Sequence, residues 1–493
     1  MKAITLVNAD DFNRTPQSTM PLARQLRILL LKPFQHINAP LQAPPLGLLY
    51  IVSSIRQKLG EYADIRVIDM KLHNMEPESI LHVLQEYDPD VVGFSALNYE
   101  AYAGHQIAKH TKAYNPSIIT VFGGPYALKN ASTILDDKNI DWVFEGAADR
   151  SFPEALERIA QNRTVDENIP GLSFRRKDGS VFVSTRQDQI NDLDNLPPPA
   201  WDLVDLDAYA KKPNMAANLK GKRYAMLFTS RGCPYLCNYC HDIFSKKFVY
   251  HSVDYVIAEI ERLYEQYGVD EFQIVDDIFN LHKPRLKAIM AEVQKRWPGK
   301  LKFAFPNGLR ADILDEEVIN ALCDAGTYAV CVAIETVTPR LQELVEKHLD
   351  IEKTRHAIAL FGKRNIQITG FFMLGFPTET KEEIQATIDF AIESDLTLAF
   401  FFSVVPQFGT PLYDLAISEN EEITKKLSLI ESGTYRNSLS WYQRSYNYPL
   451  ANKLRIANIR FYFSPRRILK ILRHWNMQSL LRSLKVFLRI LVT

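Results

Sequence analysis

The sequence predicts an α/β protein: a doubly wound parallel-sheet domain, then a parallel (βα)6 partial barrel, then a helical basic C-terminal region. Three observations carry this reading. Short apolar runs alternate with helical patterns twice along the chain, a Pro197-Pro198-Pro199 break separates the two alternations, and no Asp or Glu follows Glu431. Nearly continuous apolar strands with helices between them indicate a parallel sheet covered on both faces.

In the first alternation the strand candidates are Arg27–Lys32, Ile65–Asp69, Val91–Ala96, Ile118–Gly123 and Trp142–Glu145, with helical stretches at Glu78–Tyr87 and Tyr102–Tyr114. Ligands of such an open sheet bind outside the carboxyl ends of its strands. Gly171–Ser184 reads as a hairpin around Lys177-Asp178-Gly179, because Asp-Gly favours a tight turn. The three prolines that follow exclude helix and central strand. The second alternation has strand candidates Tyr224–Thr229, Glu271–Val275, Lys302–Pro306, Ala329–Ala333, Gln367–Leu374 and Ala399–Val405. Between them lie helical stretches Val253–Tyr267, Lys283–Trp297, Glu316–Ala325, Arg355–Lys363 and Lys381–Glu393. Loops at the strand carboxyl ends form the active face of such barrels. The expected divisions are an N-terminal extension 1–24, a first domain 25–165, a linker 166–222, a second domain 223–416 and a helical region 417–493.

A chain of 493 residues fits two to four domains. Five cysteines are too few and too scattered for a disulfide scaffold, which points to a reducing, cytoplasmic compartment. The N-terminus lacks the basic start and apolar run of a signal peptide, and no long uncharged apolar stretch suggests a spanning helix. Net charge is zero, but 12 Lys and Arg fall between Tyr435 and Thr493, so the preceding body carries 46 − 58 = −12.

Thr229-Ser230-Arg231-Gly232-Cys233-Pro234-Tyr235-Leu236-Cys237-Asn238-Tyr239-Cys240-His241 follows the first barrel strand. Its Gly and Pro allow a loop that points three thiolates at one centre, the ligand type of iron–sulfur clusters. Cys323 and Cys331 lie in apolar runs and read as small core residues. Three thiolates leave one iron open to a substrate or cofactor. The competing reading is structural zinc with His241 as fourth ligand, although zinc sites more often use separated ligand pairs.

The Cys-x-x-x-Cys-x-x-Cys spacing, with Tyr239 before the last Cys, resembles the radical S-adenosylmethionine (SAM) superfamily. The resemblance implies a [4Fe–4S] cluster on Cys233, Cys237 and Cys240 whose open iron binds SAM and whose reduced form cleaves it to a 5′-deoxyadenosyl radical. It continues through Ile274-Val275-Asp276-Asp277, Asn307-Gly308-Leu309-Arg310, Ala333-Ile334-Glu335-Thr336, Gly370 to Thr380 and Val405 to Tyr413. It places Tyr239, Glu335, Gly375 and Pro377 beside SAM. The usual Gly-Gly-Glu is absent at Asp276-Asp277, and Arg310 reads on its own as a structural salt bridge.

The first domain resembles that of cobalamin-dependent radical SAM enzymes, through Pro44-Pro45-Leu46-Gly47-Leu48, Val92 to Ala96, Gly123-Gly124-Pro125 and Asp141 to Gly146. The implied architecture is a Rossmann-like cobalamin-binding domain joined to a partial TIM barrel, with Ser95, Gly123, Gly124, Glu145 and Gly146 near cobalamin. Tyr126 stands where the family often has His, and no Asp-x-His-x-x-Gly motif supplies a cobalt ligand; His73 reads as a surface residue.

The implied function is functionalisation of an unactivated carbon, with methyl transfer leading. The alternatives are radical cyclisation, oxidation or rearrangement without methyl transfer, and a non-catalytic cobalamin or redox sensor. Cys240-His241 and Phe244-Ser245-Lys246-Lys247 also resemble the oxygen-independent protoporphyrin ester cyclase branch. The implied partners are a small-molecule or lipid-like substrate and an external flavodoxin- or ferredoxin-type electron donor. Basic residues without a groove-reading module give no specific nucleic-acid binding.

In the C-terminal region Arg466, Lys470 and Arg473 share one helical face, with Ile468, Leu472 and Trp475 opposite. Leu480, Leu484, Phe487 and Leu491 form a further stripe opposite Arg482, Lys485 and Arg489. Such helices either lie on an anionic membrane or pack their apolar stripe on the barrel with the basic face in water. The second arrangement is the preferred expectation.

Overall fold

The computed structural model describes residues 22–34, 41–240, 243–407, 409–419 and 450–475. Two compact units emerge: residues 22–209 with 243–251, and 210–240 with 252–419 and 450–475.

The first unit is built on a sheet with β1 (Leu26–Lys32), β2 (Ala63–Asp69), β3 (Val91–Ser95), β4 (Ile119–Gly123) and β5 (Trp142–Phe144). These five run parallel in the order β2-β1-β3-β4-β5. Strand alternation sends the side chains of one run to opposite faces. Leu29 and Leu31 join a core with Phe94, Phe122 and Ile107, whereas Ile28 and Leu30 join one with Val52, Ile55 and Phe152. Helices Ile80–Tyr87 and Ala101–Tyr114 cover the first face. Helices Leu46–Leu59 and Ser151–Ala160 cover the second. This two-sided core is the doubly wound arrangement the apolar runs predict.

The predicted hairpin forms as β6 (Leu172–Arg175) and β7 (Val181–Phe182), with Gly179 at φ +87. It does more than connect. Phe144 pairs antiparallel with Leu172, so the hairpin extends the first sheet and covers the edge of β5.

The second unit has six parallel strands in chain order: Tyr224–Leu227, Glu271–Ile274, Lys302–Leu309, Thr327–Glu335, Gln367–Leu374 and Leu398–Ser403. Helices follow the strands, each started by local chemistry. The Ser252 hydroxyl accepts from the Tyr255 amide at the head of Val253–Tyr267, and Gly268 closes that helix at φ +66. Thr380 and Glu383 form a reciprocal capping box on Lys381–Glu393. The amino-terminal half of the barrel interior is filled by a polar network. The buried Glu271 carboxylate accepts from the Lys220 and Gly221 amides, from Gln273 and from the Tyr328 hydroxyl.

The last strand is an open edge, and helix Leu450–Tyr462 covers it. The Tyr462 hydroxyl donates to the Ala399 carbonyl (2.8 Å) and accepts from the Ala399 amide (3.2 Å). The next helix, Pro465–His474, corrects the expected packing of the tail. Three of its cations are held by the barrel: Arg467 is buried and donates to the Ile392 and Ser394 carbonyls, while Arg466 and Lys470 both bind Asp395; Arg473 stays exposed. Ile468 and Leu472 are 43% and 52% exposed. Asp395 and the two helix-end carbonyls draw these cations inward, and this turns Ile468 and Leu472 to solvent, whereas Trp475, expected on the same stripe, donates to the Gln367 side chain at 2.8 Å. The later stripe, Leu480 to Leu491, lies outside the described residues. No described helix is long and apolar enough to cross a membrane.

Candidate active site

The cysteine loop begins where the first barrel strand ends, and the barrel grips it between the cysteines. Ahead of Cys233, the buried Asp276 carboxylate accepts from the Thr229 amide, the Thr229 hydroxyl and the Ser230 hydroxyl, each at 2.6 Å. Arg285 donates to the Thr229 carbonyl, and Asp277 accepts from the Gly232 amide. Gly232 itself turns the chain at φ +83. Between Cys233 and Cys237, the Arg310 guanidinium lies 3.7 Å from the centre of the Tyr235 ring. Arg310 is fixed in turn by Asp312 and the Lys347 and His348 carbonyls. Between Cys237 and Cys240, Asn238 donates through its side chain to the Leu344 carbonyl and through its amide to the Val345 carbonyl. Asp276 and Asp277, which stand where the family's Gly-Gly-Glu is absent, are thus engaged with the loop. Arg310 makes the salt bridge expected of it and stacks on the loop as well.

Cys233 and Cys237 are half-buried and Cys240 is exposed. Cys323 and Cys331 sit apart, and burial pushes their thiols up to about 11 and about 12. Both stay protonated at neutral pH and are unsuited to hold iron. Among the described residues no three His, Cys, Asp or Glu side chains gather as around a single ion. His241, the fourth ligand of the zinc alternative, lies outside the described residues.

Tyr239 is half-buried, and desolvation followed by the nearby Glu335 charge pushes its phenol well above the ordinary value. Its ring lies 6.4 Å from that of Phe376. Glu335 ends the fourth barrel strand at φ +65, a costly conformation for a non-glycine residue, at a break in strand register. Its carboxylate pairs with the buried Lys347 ammonium at 3.3 Å. Lys347 carries no sequence signal; only the turn after helix Pro339–Leu344 brings it there. After the fifth strand Gly375 stands at φ +91, and Pro377 is buried. The amides of Gly375 and Phe376 both donate to Glu379, whose carboxyl is pushed up to about 7 by burial.

In the first unit, Gly124 stands at φ +83, and a Cβ there would come within 2.9 Å of the Ala96 nitrogen and Ser95 Oγ. The turn therefore admits only glycine. A Cβ on the neighbouring Gly123 would meet nothing nearer than 3.8 Å, so bare backbone is open at that strand end. Glu145 is buried, accepts from the Lys129 amide at 2.6 Å, and is pushed upward by burial. Gly146 follows at φ +77. His73 is exposed in a turn, and its neighbour Asp69 is occupied by the Lys71 and Leu72 amides and the Tyr209 hydroxyl. Tyr126 hydrogen-bonds His105 (3.3 Å), which binds Asp137 (2.7 Å).

Residues 227–391 match the radical SAM superfamily and residues 36–156 match the B12 binding domain. The cytidylyl-2-hydroxyethylphosphonate methyltransferase of Streptomyces wedmorensis is 30% identical over 79% of this chain and 81% of that protein. The chain belongs to the cobalamin-dependent radical SAM enzymes. An uncharacterized methyltransferase of Pyrococcus horikoshii is 29% identical over 91% of this chain and 94% of that one. Anaerobic magnesium-protoporphyrin IX monomethyl ester cyclases are further relatives. The fold matches the radical SAM methyltransferase TsrM from Kitasatospora setae, solved with cobalamin and a [4Fe–4S] cluster, at a TM-score of 0.66 and 20% identity over 81% of this chain and 78% of that one.

This radical SAM enzyme therefore uses a [4Fe–4S] cluster, SAM and cobalamin. The residues present fit these groups. A loop with three thiols is the donor set of a cluster with one open iron. The bare backbone at Gly123 stands at a strand carboxyl end of the first sheet, where open α/β sheets take large ligands.

Proposed function

We propose that this enzyme transfers a methyl group to an unactivated carbon of a small-molecule substrate. The observation that carries this reading is the pairing of both domain matches in one chain with relatives over 79% and 91% of its length that are named methyltransferases. When bound, the cofactors supply the radical and the methyl group, chemistry that side chains cannot provide. In this reading Cys233, Cys237 and Cys240 hold the cluster, and Tyr239, Glu335, Gly375 and Pro377 line the SAM side. Lys347 neutralises Glu335 beside Tyr239. Asp276, Asp277, Arg310 and Asn238 hold the cysteine loop in place without touching substrate. Ser95, Gly123, Gly124, Glu145 and Gly146 shape the cobalamin side, and the exposed turn at His73 leaves cobalt without a histidine ligand from it. Residues 25–165 and 223–416 are the working domains.

The test is anaerobic reconstitution with iron, sulfide and hydroxocobalamin, reduction, and product analysis with methyl-labelled SAM. A methylation that consumes two SAM, one cleaved to a radical that takes hydrogen from the substrate and one giving up its methyl group, yields S-adenosylhomocysteine along with 5′-deoxyadenosine and label in the product. 5′-Deoxyadenosine alone favours the cyclisation, oxidation or rearrangement reading that the cyclase relatives support.

The reaction draws electrons from an external reductant, in this reading a flavodoxin or ferredoxin. We also propose that the exposed face of the C-terminal helices touches an anionic membrane peripherally. Phe463, Ile468, Leu469 and Leu472 are exposed there, and so is the cation Arg473. Flotation with anionic liposomes that disappears in high salt and in a Phe463→Ser/Leu469→Ser variant supports this contact, and a chain that never floats removes it.

A further inference from the structure

The last two barrel strands divide their aromatic residues between two faces. Phe372 and Phe401 point outward: their rings stack at 5.2 Å, Phe372 meets Phe390 of helix Lys381–Glu393, and Phe401 meets Phe461 of the edge-covering helix. Strand alternation therefore turns Phe371, Met373, Phe400 and Phe402 to the inner face of the barrel. Cross-strand register sets Phe371 beside Phe400 and Met373 beside Phe402.

The three inner rings form a triangle with all three centroid separations at 6.1 Å, and the planes of Phe400 and Phe402 lie within 20° of each other. Their outward neighbours are buried, yet Phe400 is 38% and Phe402 50% exposed. Lower in the barrel the interior is filled, by Gln367, Thr369 and the Glu271 network. The open rings thus occupy the carboxyl-terminal half of the strands, the end that carries Gly375, Glu335 and the start of the cysteine loop. Folding buries large apolar groups wherever it can, and a cluster left bare inside a concave site marks a binding surface.

We propose that Phe371, Phe400 and Phe402 form the wall that recognises the substrate, and that the substrate lays a flat, apolar ring system against it. The proposal rests on the reading of this chain as an enzyme acting on a small molecule, and it adds the substrate class. Three aromatic side chains offer ring faces and edges and no hydrogen-bonding group, so they favour planar apolar partners in offset or edge-on packing. Met373, between two of them and unbranched, adapts the wall to the partner's outline. A polar or charged substrate portion would lose hydration here without recovering hydrogen bonds.

The test uses the protein loaded with cluster and cobalamin and a neutral planar probe, phenanthrene, in anaerobic equilibrium dialysis. The expected result is saturable binding of about one probe per chain, weakened at least about tenfold in Phe400→Ser/Phe402→Ser. Ile459→Ser/Leu472→Ser, which removes exposed apolar residues on the C-terminal helices, keeps wild-type binding. 1-Octanol, with no ring, displaces the probe only weakly. Cluster absorbance and melting temperature show that the double Ser variant is folded. Should it fail to fold, Phe400→Leu/Phe402→Leu keeps the apolar volume, loses the rings and is expected to bind the probe several-fold more weakly. No binding to the wild type, equal binding in folded wall variants, loss in the helix variant, or octanol competing as well as the planar probe would each overturn the proposal. Probe binding at the wall without S-adenosylhomocysteine formation would sink the methyl-transfer reading alone, and the converse would sink this one alone.

Discussion

Replacing Asp276 with Ala removes the acceptor for three donors at the root of the cysteine loop. The Thr229 amide and the Thr229 and Ser230 hydroxyls all donate to it at 2.6 Å, and the group is 2% exposed. Burial pushes the Asp276 carboxyl upward, while the hydrogen bonds from Ser230 and Thr229 and the Arg285 charge oppose that shift. An orphaned buried donor costs about 1–3 kcal/mol, but the two hydroxyls can rotate toward other acceptors and the amide cannot. Adding the lost packing and the unbalanced Arg285 charge gives about 3–5 kcal/mol, the range for breaking a buried polar network. Asp276→Asn keeps the volume and one acceptor oxygen, so it is expected to cost about half as much. The assay is a guanidinium midpoint together with iron and sulfide content after anaerobic reconstitution. Both are expected to fall in the order wild type, Asn, Ala. An Ala variant within about 1 kcal/mol of wild type refutes the energetic reasoning. An Ala variant that is destabilised but holds full iron refutes the coupling of Asp276 to the cluster loop.

Cys233→Ala, Cys237→Ala and Cys240→Ala are each expected to abolish cluster absorbance and SAM cleavage, while Cys323→Ala keeps both and costs about 1 kcal/mol in a melting experiment. Glu379→Gln tests a pH dependence. The folded carboxyl is raised by burial from 4.5 to about 7, so its contribution to stability is full below about pH 4.5 and is lost as pH rises through 7. Wild type is expected to lose on the order of 3 kcal/mol relative to the Gln variant across that window in denaturation titrations, and parallel curves would exclude it. Arg467→Ala removes donors to the Ile392 and Ser394 carbonyls and is expected to cost about 2–4 kcal/mol, read as faster proteolysis after Tyr462. An unchanged digestion rate would show that the tail helix is held by other contacts.

Much of this architecture was legible because hydrophobic period reports burial. Val253–Tyr267, Gln367–Leu374 and Lys381–Glu393 form with the predicted limits. Helix Leu46–Leu59 lies outside the predicted elements: Leu48, Val52, Ile55 and Leu59 recur at helical spacing and join one core, but Leu49, Tyr50 and Ser54 are buried as well, which blurs the amphipathic period. Pro339–Leu344 is too short to show a period. In the site, the cysteine spacing and the glycines at 124, 146 and 375 were readable from local chemistry alone. Lys347 and the Tyr235–Arg310 stack were not, because each joins residues from different strand ends.

By itself, then, the sequence determined two parallel-sheet units, a three-thiol loop at the end of the first barrel strand and the positions where only glycine turns the chain. These are properties of neighbours within about one turn or one strand, where periodicity, φ preference and residue type act directly. The tertiary structure decided which way the C-terminal helix faces, that Asp276 and Asp277 brace the cysteine loop, and that Phe400 and Phe402 stay exposed inside the barrel. An amphipathic period has two faces and does not say which one meets the barrel. Asp395 resolves it for Arg466 and Lys470 from more than seventy residues away, as the barrel curvature resolves it for Phe400 and Phe402.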